Sequence, residues 1–149
     1  MAAQTRTQVR TLVAGRLGAL SGWTQSRIAY DGFGRDPDSV LHKGYAVGLG
    51  ETRDRRESGY RGRPAEGLLT DTVVLVAYGY RLVPKDQVAS RDLAETAGQE
   101  LVNQLMAYGA GWPNDLKVRL DSVTSEVTAS GDWYIGTQSY TVTHTLPLQ

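Results

Sequence analysis

Apolar residues recur along this chain with two different periods, and the change from one to the other marks its elements. Val9, Leu12, Val13, Leu17 and Leu20 fall at three- and four-residue spacings, which predicts a helix over about Thr5 to Leu20 with Thr5 or Thr7 as its cap. The LSGW at 20 to 23 ends it. SRIAY, residues 26 to 30, predicts a short strand broken by the turn-forming DGFGRDPDS, and GYAVGLGE, residues 44 to 51, predicts a second. LLTDTVVLVAYGYRLV, residues 68 to 83, is rich in β-branched and aromatic residues and is closed by Pro84. Val74, Val76, Tyr78, Tyr80 and Leu82 share one face of this long strand; Val73, Leu75, Ala77 and Val83 share the other. The expectation is burial on both faces over its first half, with Gly79 marking a bulge, a bend or a crowded backbone.

Ser90 is placed to cap the next helix, with Asp92 and Glu95 in its first turn, and Leu93, Ala94, Ala97, Leu101, Val102, Leu105 and Met106 form its apolar stripe. Two strands follow, KVRLDSVTSEV at 117 to 127 and DWYIGTQSYTVTHTLPL at 132 to 148, joined by TASGD. In the last, Tyr134, Tyr140, Val142 and Leu146 alternate with polar neighbours, as in a half-exposed antiparallel strand. This element order predicts an α+β fold: an antiparallel or mixed sheet of about five strands with two helices packed on one face, in a single domain over residues 1–149.

A chain of 149 residues with 40% hydrophobic and 21% charged residues is long and apolar enough to bury a core without staples. Cysteine is absent, which excludes disulfides, thiolate metal sites and cysteine nucleophiles. With no cleavage-site pattern at its start and no apolar run long enough for a membrane span, the sequence predicts a soluble, unexported protein. Lys+Arg and Asp+Glu are equal at 16 each, yet residues 1–66 hold 11 basic and 7 acidic residues, and residues 67–149 hold 5 and 9. Such a basic first half and acidic second half suit head-to-tail contact between copies, and also arise by chance.

The steepest local charge lies in ETRDRRESGYRGR, residues 51 to 63, within a charged loop at about 51–66. Arg53, Arg55, Arg56, Arg61 and Arg63 surround Tyr60, so the segment can touch phosphates and stack on a base. However, Glu51, Asp54 and Glu57 interrupt the run, and alternating signs suit ion pairing with protein better than with a polyphosphate. A solvated loop is the plain alternative.

Sequence reading nominates no catalytic, cofactor-binding or metal residue, and no enzyme. His42 and His144 have no identifiable partner for general acid–base work and read as solvent-facing polar residues. Asp31, Asp36 and Asp38 lack calcium-loop spacing and read as turn residues. GLGETR begins like a dinucleotide fingerprint, but no third glycine and no helix follow. The surplus of Tyr and Trp over Phe hints at assembly, although Tyr78, Tyr80, Trp112, Trp133, Tyr134 and Tyr140 each suit a core as well.

In the order of its elements, the chain resembles the tail terminator (tail completion) proteins of long-tailed bacteriophages. The likeness runs from about Thr5 to Leu148 and lies in the opening amphipathic helix, the charged loop, TDTVVLVAYGYRL, SRDLAETAGQELVNQLM and the closing pair VRLDSVTSEV and WYIGTQSYTVTHTLPL. The resemblance implies a structural virion protein: a hexameric ring that caps the head-proximal end of the tail tube, ends tube polymerisation and offers a surface to the head-side connector or stopper protein. It implies no cofactor, no membrane contact, and DNA only in passage through the ring lumen. Two surfaces are nominated for the oligomer and its partners: the loop residues Arg53, Arg55, Arg56, Tyr60, Arg61 and Arg63, and an outer face of the last strand formed by Tyr134, Tyr140 and His144. The alternatives are another phage neck protein, such as a head-tail joining or stopper protein, and a nucleic-acid-binding module using the arginine loop.

Overall fold

The structure is a computed structural model that describes residues 3–33, 42–54, 67–106, 111–113, 116–128 and 130–147. Helix α1 (Arg6–Gly18) leads into the two-residue strand β1 (Thr24–Gln25), then β2 (Gly44–Asp54) and β3 (Gly67–Arg81). Helix α2 (Gln87–Met106), β4 (Lys117–Val127) and β5 (Trp133–Pro147) complete the order. The strands form one mixed sheet, β1-β2-β3-β5-β4, with β1 and β2 parallel and the other neighbours antiparallel. This is the α+β class predicted from the pattern. Its spine is β3 paired with β5, in unbroken register from Gly67 opposite Pro147 to Arg81 opposite Trp133.

Helix α1 starts where the sequence places it. The Thr5 hydroxyl accepts the Gln8 amide at 3.2 Å and the Gln8 side chain accepts the Thr5 amide at 2.8 Å, a reciprocal box that satisfies two donors the first turn leaves orphaned. Its Val9, Val13 and Leu17 face the sheet. The short strand expected at 26–30 instead ends at Gln25. The Ser26 amide makes one more sheet bond, to Tyr45 O at 2.7 Å. The Ser26 hydroxyl then takes the Ile28 amide at 3.0 Å, which turns the chain away into a 3₁₀ turn at Tyr30–Gly32.

Helix α2 begins at Gln87, ahead of the expected Ser90 cap. Pro84 opens a 3₁₀ turn that runs directly into it, and Ser90 lies buried inside, its hydroxyl accepting the Val83 amide at 3.0 Å. That shift moves Asp92 and Glu95 beyond the first turn. It also leaves Leu93 and Met106, both assigned to the stripe, 57% and 38% exposed. Ala94, Ala97, Leu101 and Leu105 remain on the buried side.

Both helices cover the same face. Tyr45 and Tyr78 stand directly opposite each other on β2 and β3, and the first donates to Ala14 O of α1 at 3.0 Å while the second donates to Ala94 O of α2 at 3.2 Å. Val9, Leu17, Val74, Val76 and Leu101 are fully buried between helices and sheet, each contributing about 1.5–3 kcal/mol of transfer free energy. Among the described residues the opposite face is covered at one end, where Phe33 packs with Ala46, Ala77 and Ile135. Burial on both faces of β3 therefore falls on residues 76–79, not on the first half as expected. The register shifts lie at Leu49/Thr52 in β2 and Leu120/Ser122 in β4, and β3 passes through Gly79 in unbroken register with β5.

Tyr78 holds the tightest place in the core. A β-carbon on Gly98 of α2 would lie 2.2 Å from its hydroxyl oxygen, and one on Gly136 of β5 would lie 2.1 Å from its ring carbon Cε1. The ring occupies the space that two missing side chains leave. Gly136→Ala is therefore expected to cost about 2–3 kcal/mol or more through overpacking, whereas Gly15→Ala, at an open position of α1, should stabilise by about 0.5–1 kcal/mol. Urea unfolding of the two variants beside wild type checks both signs.

Candidate assembly surface

Among the described residues, the part of the sheet face opposite the helices that nothing covers carries charged and hydroxyl side chains beside Val73 and the exposed Leu69, in an order set by register. Arg53 on β2 lies opposite Asp71 on β3, Asp71 opposite Thr143 on β5, and Thr143 opposite Lys117 on β4. In the next row Val73, Thr141 and Arg119 stand side by side. A shallow hollow of about 230 Å³ lies among Glu51, Arg53, Asp71, Val73, Arg119 and Thr141. Its charges are bound in alternation. Arg53 grips Glu51 with Nε to Oε1 at 2.7 Å and a second nitrogen to Oε2 at 3.2 Å, which holds the Glu51 carboxyl below its ordinary range. Arg119 Nε donates to Asp121 Oδ1 at 3.1 Å, the Thr141 hydroxyl donates to the other Asp121 oxygen, and Thr143 donates to Asp71 at 2.6 Å.

Of the nominated arginines, Arg53 lies in this row and is already engaged by Glu51 with most of its side chain in water, so that pair adds little to stability. Arg55, Arg56, Tyr60, Arg61 and Arg63 lie outside the described residues. The second nominated surface is corrected. Tyr134, Tyr140 and His144 are 4%, 1% and 2% exposed and face the helices. The cause is the period of two: these residues share a face with Val142, which is fully buried, so its inward direction carries them all inward.

Each of the three has its polar atoms satisfied inside. Tyr134 donates to the Glu95 carboxylate of α2. Tyr140 donates to Gln138 Oε1 at 2.6 Å, while Gln138 Nε2 donates to Gly98 O at 2.8 Å; burial pushes the Tyr140 hydroxyl well above its ordinary range. His144 Nδ1 lies 3.1 Å from Gln4 O, an atom that only accepts, so the neutral ring carries its proton there. Its Nε2 then accepts from Thr72 at 2.7 Å, and Thr72 in turn lies 2.8 Å from the Thr52 hydroxyl. Burial lowers the His144 pKa, opposed by its contacts with the Gln4 and Thr145 backbone and by the Asp71 charge. The reading of His144 as solvent-facing is thus also corrected.

His42 does lie at the surface, with Nδ1 accepting the Arg81 amide at 3.2 Å and its ring 4.5 Å from that of Tyr80, edge to face. Gly48, from the discarded fingerprint, gives room to Tyr30, whose Cβ would lie 2.6 Å from an added β-carbon. Among the described residues no three acidic or histidine side chains gather as metal ligands, and no described helix is long and apolar enough to cross a membrane. Asp36 and Asp38 lie outside the described residues. Comparison of the chain with protein-family models and with curated proteins gave no match. The charged rows were missed in the sequence, although Asp71 inside an apolar strand and the alternation of Lys117, Arg119 and Asp121 both signal them.

The buried imidazole gives a pH dependence of known sign. Above pH 6.5 His144 is neutral both folded and unfolded; as pH falls below that value the unfolded chain takes up the proton first, so stability declines until the lowered folded pKa is passed. His144→Asn should lose about 1–3 kcal/mol at pH 7.5 through broken hydrogen bonds. Its deficit relative to wild type should shrink at pH 5.5, read from urea midpoints at the two pH values.

Proposed function

We propose that this chain is a structural virion protein of the tail-terminator kind, acting as a hexameric ring at the head-proximal end of a phage tail tube. The observation that supports the reading is the division of the sheet: one face packs against two helices, and the other, among the described residues, sets Arg53, Asp71, Thr143 and Lys117 in one cross-strand row with Arg119 in the next. Charge-patterned surfaces suit docking against another folded protein, where complementary potentials fix partner and register.

In this reading the chain works by binding and not by catalysis, with the tail tube protein below, the head-side connector or stopper above, and DNA passing through the lumen. Both histidines have a ring nitrogen engaged by the fold, one with a backbone carbonyl and one with a backbone amide. The pairing of Arg53 with Glu51 and of Arg119 with Asp121 favours a protein partner over a nucleic acid, because both of these arginines already have an acid beside them. The order of elements along the described chain is also the order on which the resemblance to tail terminators stands.

The test is light scattering over a concentration series with negative-stain images, repeated with tail tubes. Sixfold rings, free or on one tube end, are the expected result. Arg55→Glu/Arg56→Glu/Arg61→Glu should keep its circular dichroism and weaken ring formation or tube docking at least tenfold. Neither rings nor tube-end binding, or salt-sensitive DNA binding in their place, would overturn the reading; binding at the opposite end of the neck would identify a joining or stopper protein.

A further inference from the structure

Strand β4 is the last of the sheet, and among the described residues nothing pairs with its outer edge. Asp121 to Glu126 are all exposed, Val123 at 47% although it stands on the helix side of the sheet. An edge of this length is a template for a further strand unless charge or shape blocks it.

The charges on β4 do not block a second copy; they select one. Lys117, Arg119 and Asp121 lie in its first half and Glu126 at its far end, and Asp121 is held within its own chain by Arg119 and the Thr141 hydroxyl. Lys117 stands opposite Thr143, Arg119 opposite Thr141 and Glu126 opposite Ile135, all on the open face of the sheet. Residues 117 and 126 differ by an odd number and would ordinarily point to opposite faces. The register shift between Leu120 and Ser122 inserts one residue and brings both halves to the same face. Antiparallel neighbours must match face for face. With the shift in place, a second β4 running the other way sets Lys117 against Glu126 at both ends, Arg119 opposite Thr124, and Leu120 opposite Val123 on the helix side. Neither Lys117 nor Glu126 has an ion-pair partner among the described residues.

We propose that β4 pairs antiparallel with β4 of a second copy about a two-fold axis between Asp121 and Ser122, continuing one sheet through two chains. The inference goes beyond the ring reading and does not rest on it. A ring closes through unlike surfaces, whereas this contact joins like to like and stops at two, be they two chains or two rings.

The experiment uses light scattering on concentration series of wild type, Lys117→Glu and Glu126→Lys, each checked for folding by circular dichroism. Wild type should show a species of doubled mass, and each single reversal should move its midpoint to about tenfold or higher concentration, since two attractive pairs become repulsive. An equimolar mixture of the two reversed chains should recover the wild-type midpoint, because each of the two end contacts in the mixed pair again joins one acid to one base. No doubled species in wild type, an unchanged midpoint in either variant, or a mixture as weak as its components would each overturn the proposal. If rings form without doubling, this inference fails and the ring reading stands.

Discussion

The Tyr78 ring sits where Gly98 of α2 and Gly136 of β5 carry no side chain, its hydroxyl donates to Ala94 O, and the Trp23 ring meets it edge-on at 5.9 Å. One residue thereby joins the two central strands, the longer helix and the segment after α1. The close approach fixes how deep α2 lies on the sheet, and α2 then reaches Tyr134 through Glu95 and Gln138 through its Gly98 carbonyl. Asp121 to Glu126 of β4 stay exposed beside it.

The two ends of the sealed face are built on different chemistry. Around Tyr78 it is apolar and aromatic; towards the far end, Thr52, Thr72, His144 and Gln4 form a hydrogen-bonded line that ties the segment before α1 to β5. The amide of Gln4 also joins β5, donating to Thr145 O at 2.7 Å. Satisfied polar groups of this kind hold a defined geometry, because breaking one leaves a buried atom unpaired. This end needs that definition: Arg53 of β2, Asp71 of β3 and Lys117 of β4 are brought into one row on its open side.

Much of this is legible in the sequence where a single period governs. Helix α1 with Thr5 as one of its two candidate caps, strands β3 to β5 and the shared face of Val74, Val76, Tyr78, Tyr80 and Leu82 follow from the sequence pattern, whereas β2 runs on to Asp54, into residues expected to begin the charged loop. Spacing fixes which residues share a face but not which face turns inward, so Tyr134, Tyr140 and His144 are grouped correctly by it while their outward assignment is reversed by the core. Local hydrogen bonds decide the other departures: the Ser26 hydroxyl stops β1, and the turn at Pro84 brings α2 forward so that Ser90 becomes a core residue. The charged rows of the open face are a cross-strand property. Arg53, Asp71, Thr143 and Lys117 are adjacent only through register, which depends on the shifts at Leu49/Thr52 and Leu120/Ser122.

The main core lies on the helix side, and in the proposed reading the open sheet face with its bare edge is the surface through which the chain would meet other protein. Hydrogen exchange by mass spectrometry, on assembled against dispersed protein, reads that assignment strand by strand. Assembly should slow exchange in β4 and in the β2 and β3 peptides around Arg53 and Asp71, with the outer surfaces of α1 and α2 unchanged. Protection confined to the helices, around exposed Val88 and Leu93, would place the contact on the opposite side of the molecule and refute it.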